Sequence, residues 1–196
     1  MSKSDPASIK KERRKAIRWV VTIFLVTIFI SGTISLISDE IMANSGMAIA
    51  FLILFAIVLV GIIFDIIGVA VTSADEKPFH SMAARKVPGG QEAIRLLRNA
   101  ERVSSICNDV IGDICGVVSG SASATIAAQV LQNFDFSWPN AVSLVMSALV
   151  AGLTVGGKAI GKTFAINSCT QILSFVGKLL YTIRRFPLAF HKRENK

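Results

Sequence analysis

Charge is scarce in this chain. Of its 196 residues, 17% are charged, where a soluble domain carries about 25%. Hydrophobic residues make up 52% and gather into long uninterrupted runs. The shortage of charge therefore excludes an ordinary soluble core and points to a membrane protein. Histidine is nearly absent: the two, His80 and His191, sit in polar segments with no nucleophile or metal motif beside them. No Cys/His spacing suggests zinc, and the serines of SGSASAT (119–125) lack the strand–turn–helix context of a nucleophile elbow. No enzyme is expected. The three cysteines, Cys107, Cys115 and Cys169, all fall in apolar stretches. On one helix Cys107 and Cys115 stand roughly 12 Å apart, too far for a disulfide, and they are expected as small buried apolar residues.

The apolar runs give the layout. Residues 1–18 are polar and basic and are expected to be mobile. Residues 19–37 are continuously apolar, longer than the usual signal-peptide core of about 7 to 15 residues, and are expected as a retained transmembrane helix. SDEIMANSG (38–46) is expected as a short turn, and 47–72 as a second span whose single charge is Asp65. Segment 73–102 is polar, broken by SADEKP and VPGG into two short helices. Ala93, Leu96, Leu97 and Ala100 share one side of the second, as suits a helix lying along a membrane surface or beneath the bundle. Residues 103–131 form the third span. The loop that follows carries Phe134, Phe136 and Trp138, which suit the headgroup region, and Pro139, which suits the first turn of a helix.

Residues 141–160 form the fourth span, with Gly152, Gly156 and Gly157 for close packing. An amphipathic helix is expected over 162–185. Asn167, Gln171, Ser174, Lys178 and Arg185 lie on its polar face, and Ala165, Cys169, Ile172, Val176, Leu179 and Ile183 on its apolar one. A basic tail (184–196) ends the chain. The fold expected is an all-α membrane protein with four transmembrane helices, cytoplasmic juxtamembrane helices and a C-terminal amphipathic helix.

Lys and Arg set the orientation. Seven lie in 1–18, six in 73–102 and eight from Lys158 onward, together all 21 of them. Neither opposite loop has one. The positive-inside rule puts both termini and the 73–102 segment in the cytoplasm, in a cell membrane. The net charge of +8 is thus a matter of topology, and no nucleic-acid motif accompanies it.

The third span is the unusual one. Asn108, Asp109 and Asp113 lie in its first third, and an intramembrane carboxylate costs roughly 2.5 to 3.5 kcal/mol on insertion scales. Asp109 and Asp113 are four residues apart and share a helix face. Gly112, Gly116, Gly120 and Ala124 repeat beside them as a small-residue stripe suited to a close partner helix, and a homodimer through such faces is expected. Asp65, Asn108, Asp109, Asp113 and Lys158 all belong to the cytoplasmic half. Two readings stay open. One is an oxygen-lined site for a hard cation such as magnesium; the other is an internal salt bridge from Lys158 to one aspartate.

The order of segments resembles the transmembrane domain of the CorB/CorC and cyclin M (CNNM) magnesium transporter family. FDIIGVAVTSA (64–74) stands where the family has a Phe-Phe-Ser-Gly-Ser-Glu-like motif followed by Ala-Leu-Thr-Ser. IRLLRNAERVSS (94–105) follows as the juxtamembrane run. CNDVIGD (107–113) matches the Gly-Asn-Asn position, and GKAIGKTFA (157–165) matches Gly-Glu-Ile-Leu-Pro-Lys-Thr-Leu-Ala. The resemblance covers about residues 50–183. It implies a dimer with an inward-facing magnesium site. Asp65 stands for a motif serine, Asn108 or Asp109 for the asparagine, and Lys158 for the glutamate. Gly68 departs from the first motif's glutamate, Gly161 from the proline, and the first span is additional. The family's cytoplasmic CBS and transporter-associated domains have no counterpart before Lys196, which makes a separate cytoplasmic regulatory subunit an expected partner. The lysine suggests either a tethered cation in the magnesium place, held by Asp65 and Asp109 or Asp113, or a site rebuilt from the extra aspartates.

Overall fold

A computed structural model describes residues 6–43, 45–133 and 138–191; these are all-α, with no strand among the described residues. The elements are α1 (Pro6–Ala43), α2 (Met47–Ser73), α3 (Lys77–Ala84), α4 (Gly90–Arg98), α5 (Ala100–Ser105), a π-helical segment (Ile106–Gly112), α6 (Asp113–Asn133), α7 (Pro139–Asn167) and α8 (Cys169–His191). Four stretches, Arg13–Met42, Met47–Ser73, Ala100–Asn133 and Pro139–Asn167, are long and apolar enough to cross a membrane. They are compatible with an integral membrane protein. Their alternating order brings the start of α1, the α3–α5 segment and α8 to one end of the bundle.

Three boundaries differ from expectation. The basic N-terminal segment is helical from Pro6 and continuous with the first span. Its Lys, Arg and Glu residues are good helix formers, and a proline fits a first turn. SDEIMA (38–43) is helix, not turn, because Ser38 and Met42 are buried against the bundle, and packing of this kind stabilises a helix more than propensity does. The fourth long helix runs on to Asn167, with Ala165 fully buried. The chain turns only at Ser168, whose N–H donates to the Phe164 carbonyl at 2.9 Å. Phe134 and Phe136 lie outside the described residues; Trp138 is exposed, and Pro139 opens α7.

Helix α2 is the central element and packs on α1, α5, α6, α7 and α8. One core cluster, Met42, Ala50, Leu54, Ala122, Ile126 and Val150, joins α1, α2, α6 and α7. A second, at the other end, joins Val71 to Phe79, Ala93, Leu97 and Leu173. Helix α7 meets α2 through notches: a Cβ at Gly161 would come within 2.8 Å of Ile66, and Gly157 receives Ile62. Gly152 and Gly156, by contrast, have open space beside them.

The α8 helix buries Leu173 and Gly177; Leu179 and Ile183, expected on its apolar face, are turned away from α4 and exposed. The cause is a backbone-to-backbone contact. Gly89, at φ +91°, would place a Cβ 2.5 Å from the Lys178 amide nitrogen, and a Cβ on Gly177 would lie 2.5 Å from the Gly89 carbonyl. Only glycine fits either position, so α8 is turned until Gly177 faces α4. Gly89→Ala combines that collision with a left-handed backbone that costs an L-residue about 1–2 kcal/mol. We expect it to detach α8 and speed trypsin cleavage after Lys178 and Arg184 severalfold. Gly152→Ala should change stability by less than about 0.5 kcal/mol.

Candidate functional site

The polar residues of the long helices meet at one level. Helix α2 centres on Val60 and α7 on Leu153, so Asp65 and Lys158 each lie five residues past centre, about 7.5 Å along helices that run in the same direction. A hydrocarbon core reaches about 15 Å either side of its midplane. With the helices centred in a bilayer, both charges are inside it, not in the headgroup zone. The interlocking of Ile62 and Ile66 with Gly157 and Gly161 fixes the level at which the two residues face each other.

Lys158 Nζ stands 4.0 Å from Asp65 Oδ1, with side chains 25% and 17% exposed. It donates to the Gly112 carbonyl oxygen at 3.4 Å. Both distances are long for direct bonds, so the ammonium is held loosely. Gly112 eases this approach: a Cβ there would sit in ordinary contact with Nζ at 3.4 Å and slightly tight against the Cys107 carbonyl at 3.3 Å.

One turn further along α2, the Asn108 side chain lies directly on Gly68, in the space a Cβ would take. Asn108 Nδ2 donates to Ser104 Oγ at 3.2 Å, and its Oδ1 is buried with no hydrogen-bond partner among the described residues. A buried acceptor of this kind is costly to leave unpaired and marks a site of interest. Together the Asp65 carboxylate, the Gly112 carbonyl and the Asn108 amide oxygen form a hard-oxygen donor set of the type magnesium takes. Of these, the Asp65 carboxylate and the Gly112 carbonyl face the Lys158 ammonium, and the Asn108 oxygen lies over Gly68.

Asp109 and Asp113 do not join them. Both are exposed, about 100° round the same helix from Asn108 and Gly112. Asp109 Oδ2 accepts a bond from Ser105 Oγ at 2.7 Å. Among the described residues no group of three His, Cys, Asp or Glu side chains converges as a metal site. The reason is local: Asn108 and Gly112 take the inward face of the π-helical segment, and the residue after each must point away. The small-residue stripe divides in the same way. Gly112 is buried and Gly120 exposed, because a four-residue repeat drifts about 40° per step round a helix of 3.6 residues per turn.

Three features of the structure have no counterpart among the expected site residues. The π-helical segment, a form that recurs at functional sites, has no composition signal. Gly68, noted as a departure from a motif, is the seat of Asn108. A second polar seam joins α1 to α6. It comprises Ser35 Oγ and Ser121 Oγ at 3.2 Å, Thr125 Oγ1 donating to Asp39 Oδ1 at 3.5 Å, and Gln129 Nε2 donating to the Met42 carbonyl at 2.7 Å. Its signal was present, since Ser121, Thr125 and Gln129 recur every four residues. The cysteines are free; Cys107 is buried, and Cys115 packs against Gly61.

Removing one member of a largely buried pair leaves the other uncompensated, whereas removing both is often tolerated. Asp65→Leu and Lys158→Met should each destabilise the bundle by about 1–3 kcal/mol. The double variant should cost less than their sum, read as a coupling of roughly 0.5–2 kcal/mol in a denaturation cycle in mixed micelles. Zero coupling would mean that the pair does not interact. Set against known protein families, curated proteins and solved structures, the chain matches none of them.

Proposed function

We propose that this chain is a multi-pass membrane protein of the CorB/CorC and cyclin M kind that handles a divalent cation, magnesium, at the level of Asp65, with Lys158 as its gate. The observation that carries this reading is the position of Lys158 Nζ, between the Asp65 carboxylate and the Gly112 carbonyl; the partnerless Asn108 Oδ1 lies one turn further along α2, over Gly68. In the gated state the ammonium supplies the positive charge that the oxygen atoms require. A divalent ion arriving there displaces it, and contacts of 3.4 and 4.0 Å are weak enough to yield.

The remaining parts of the reading follow from charge and packing. The positive-inside rule assigns both termini and the α3–α5 segment to the cytoplasm. The exposed line of Asp109, Asp113, Gly120 and Ala124 suits contact with a second copy, since small residues allow helices to approach and lipid-facing carboxylates are costly. Across such a seam the facing carboxylates repel unless a cation lies between them. No catalytic step is assigned to the chain.

A second reading has its own support. Asp109 and Asp113 are exposed, and no acidic cluster forms among the described residues. On that view Lys158 permanently replaces the ion, and the chain is a structural or regulatory membrane subunit, partnered by a separate cytoplasmic protein.

Proteoliposomes loaded with a magnesium-sensitive dye separate the two. The gate reading expects magnesium entry with the native chain, loss of entry with Asp65→Asn, and binding raised roughly tenfold by Lys158→Glu, the factor that about 1.4 kcal/mol gives. A native chain that admits no magnesium, with Lys158→Glu improving binding but not flux, supports the subunit reading. Unchanged or weaker binding in Lys158→Glu removes the tethered-cation idea altogether.

A further inference from the structure

Beside the turn at Ser168 the bundle has a groove that no side chain among the described residues fills. Its volume is about 670 Å³, between α2, the α4–α5 segment, α7 and α8. Ile63, Ile66 and Ile67 of α2 form one wall, and Phe164, Phe175 and Leu179 of α7 and α8 form the other. Both phenylalanines are more than half exposed. A space with so few polar partners does not hold ordered water. Ile63 to Ile67 lie three to seven residues past the centre of α2, about 5–10 Å from the midplane toward the α8 end. The groove therefore starts within the hydrocarbon zone and ends under α8.

At that end a second hollow of about 610 Å³ is lined by Leu97 to Arg102, at the break in helical geometry around Asn99. It is polar, and Arg98 and Arg102 stand at it four residues apart with Glu101 between them. Leu96 and Val103, the residues on either side of this stretch, line the apolar groove. The same piece of chain thus presents hydrocarbon contacts on one side and guanidinium groups on the other.

We infer that this pair of hollows binds an anionic phospholipid, with one acyl chain in the α2–α7–α8 groove and the headgroup phosphate at Arg98 and Arg102. The apolar walls select a hydrocarbon chain. The two arginines select a negative headgroup, since a basic side chain near a membrane surface favours anionic lipid by about fivefold each. Guanidinium groups suit phosphate in particular, because their forked donors match its oxygen atoms. The inference requires only that the chain is membrane-embedded and is independent of cation handling.

The test is fluorescence quenching in vesicles by lipids brominated on their acyl chains. The reporter is Phe175→Trp in a full-length chain in which the two native tryptophans are replaced, Trp19→Phe and Trp138→Phe. Brominated phosphatidylglycerol should quench this single indole with an apparent affinity roughly fivefold or more above that of brominated phosphatidylcholine at the same mole fraction. Arg98→Gln with Arg102→Gln should bring the ratio close to one, and Arg98→Lys with Arg102→Lys should keep part of it, because the charge stays and the forked donors are lost. Equal quenching by the two lipids in the reporter chain would make the groove ordinary lipid contact and overturn the inference. So would a preference that survives the glutamine pair. No quenching by either lipid would mean that protein covers the groove, a second copy or another part of this chain, and would overturn it equally.

Discussion

The constraint on which the bundle most depends is the pairing of two opposite charges set within long apolar helices. Asp65 and Lys158 belong to different helices, and neither is stable there without the other. Their meeting agrees with the register of α7 on α2. That register is enforced by shape: isoleucines of α2 enter glycine notches on α7, and a slip of one residue would part the charges and close the notches at once. Electrostatics and packing thus demand the same alignment, the kind of agreement between levels that gives a single folded state.

Glycine does different work at different places. At Gly157, Gly161 and Gly68 it makes room for a specific neighbour. At Gly89 and Gly177 it lets two backbones touch, which holds α8 across the end of the bundle. At Gly152 and Gly156 it faces open space, where small size matters only if another molecule comes close. These three situations are indistinguishable in composition, and only the packing separates them.

Much of the architecture was legible from hydropathy alone. The four long helices, the short helices between the second and third, and the proline start of α7 all follow from run length and turn residues. The ends of elements were less legible, because Ser38, Met42 and Ala165 extend their helices through burial that no local signal announces. Within the candidate site, Asp65 and Lys158 were identifiable as charges in apolar runs and do meet. Asp109 and Asp113 carried the same signal and point outward. Helical spacing says which residues share a face, but not which face turns inward; that is decided by Asn108 on Gly68 and by the local widening of the helix.

The π-helical segment Ile106–Gly112 has a mechanical consequence. Relaxing such a widened turn to ordinary α-geometry shifts the residues on one side by one position, which is about 100° of rotation about the helix axis. Rotation of that size would lift the Asn108 amide off Gly68, withdraw the Gly112 oxygen from the ammonium and bring a carboxylate round toward α2. The widened turn thus keeps Asn108 on Gly68 and the Gly112 oxygen beside the ammonium, while Asp109 and Asp113 stay exposed.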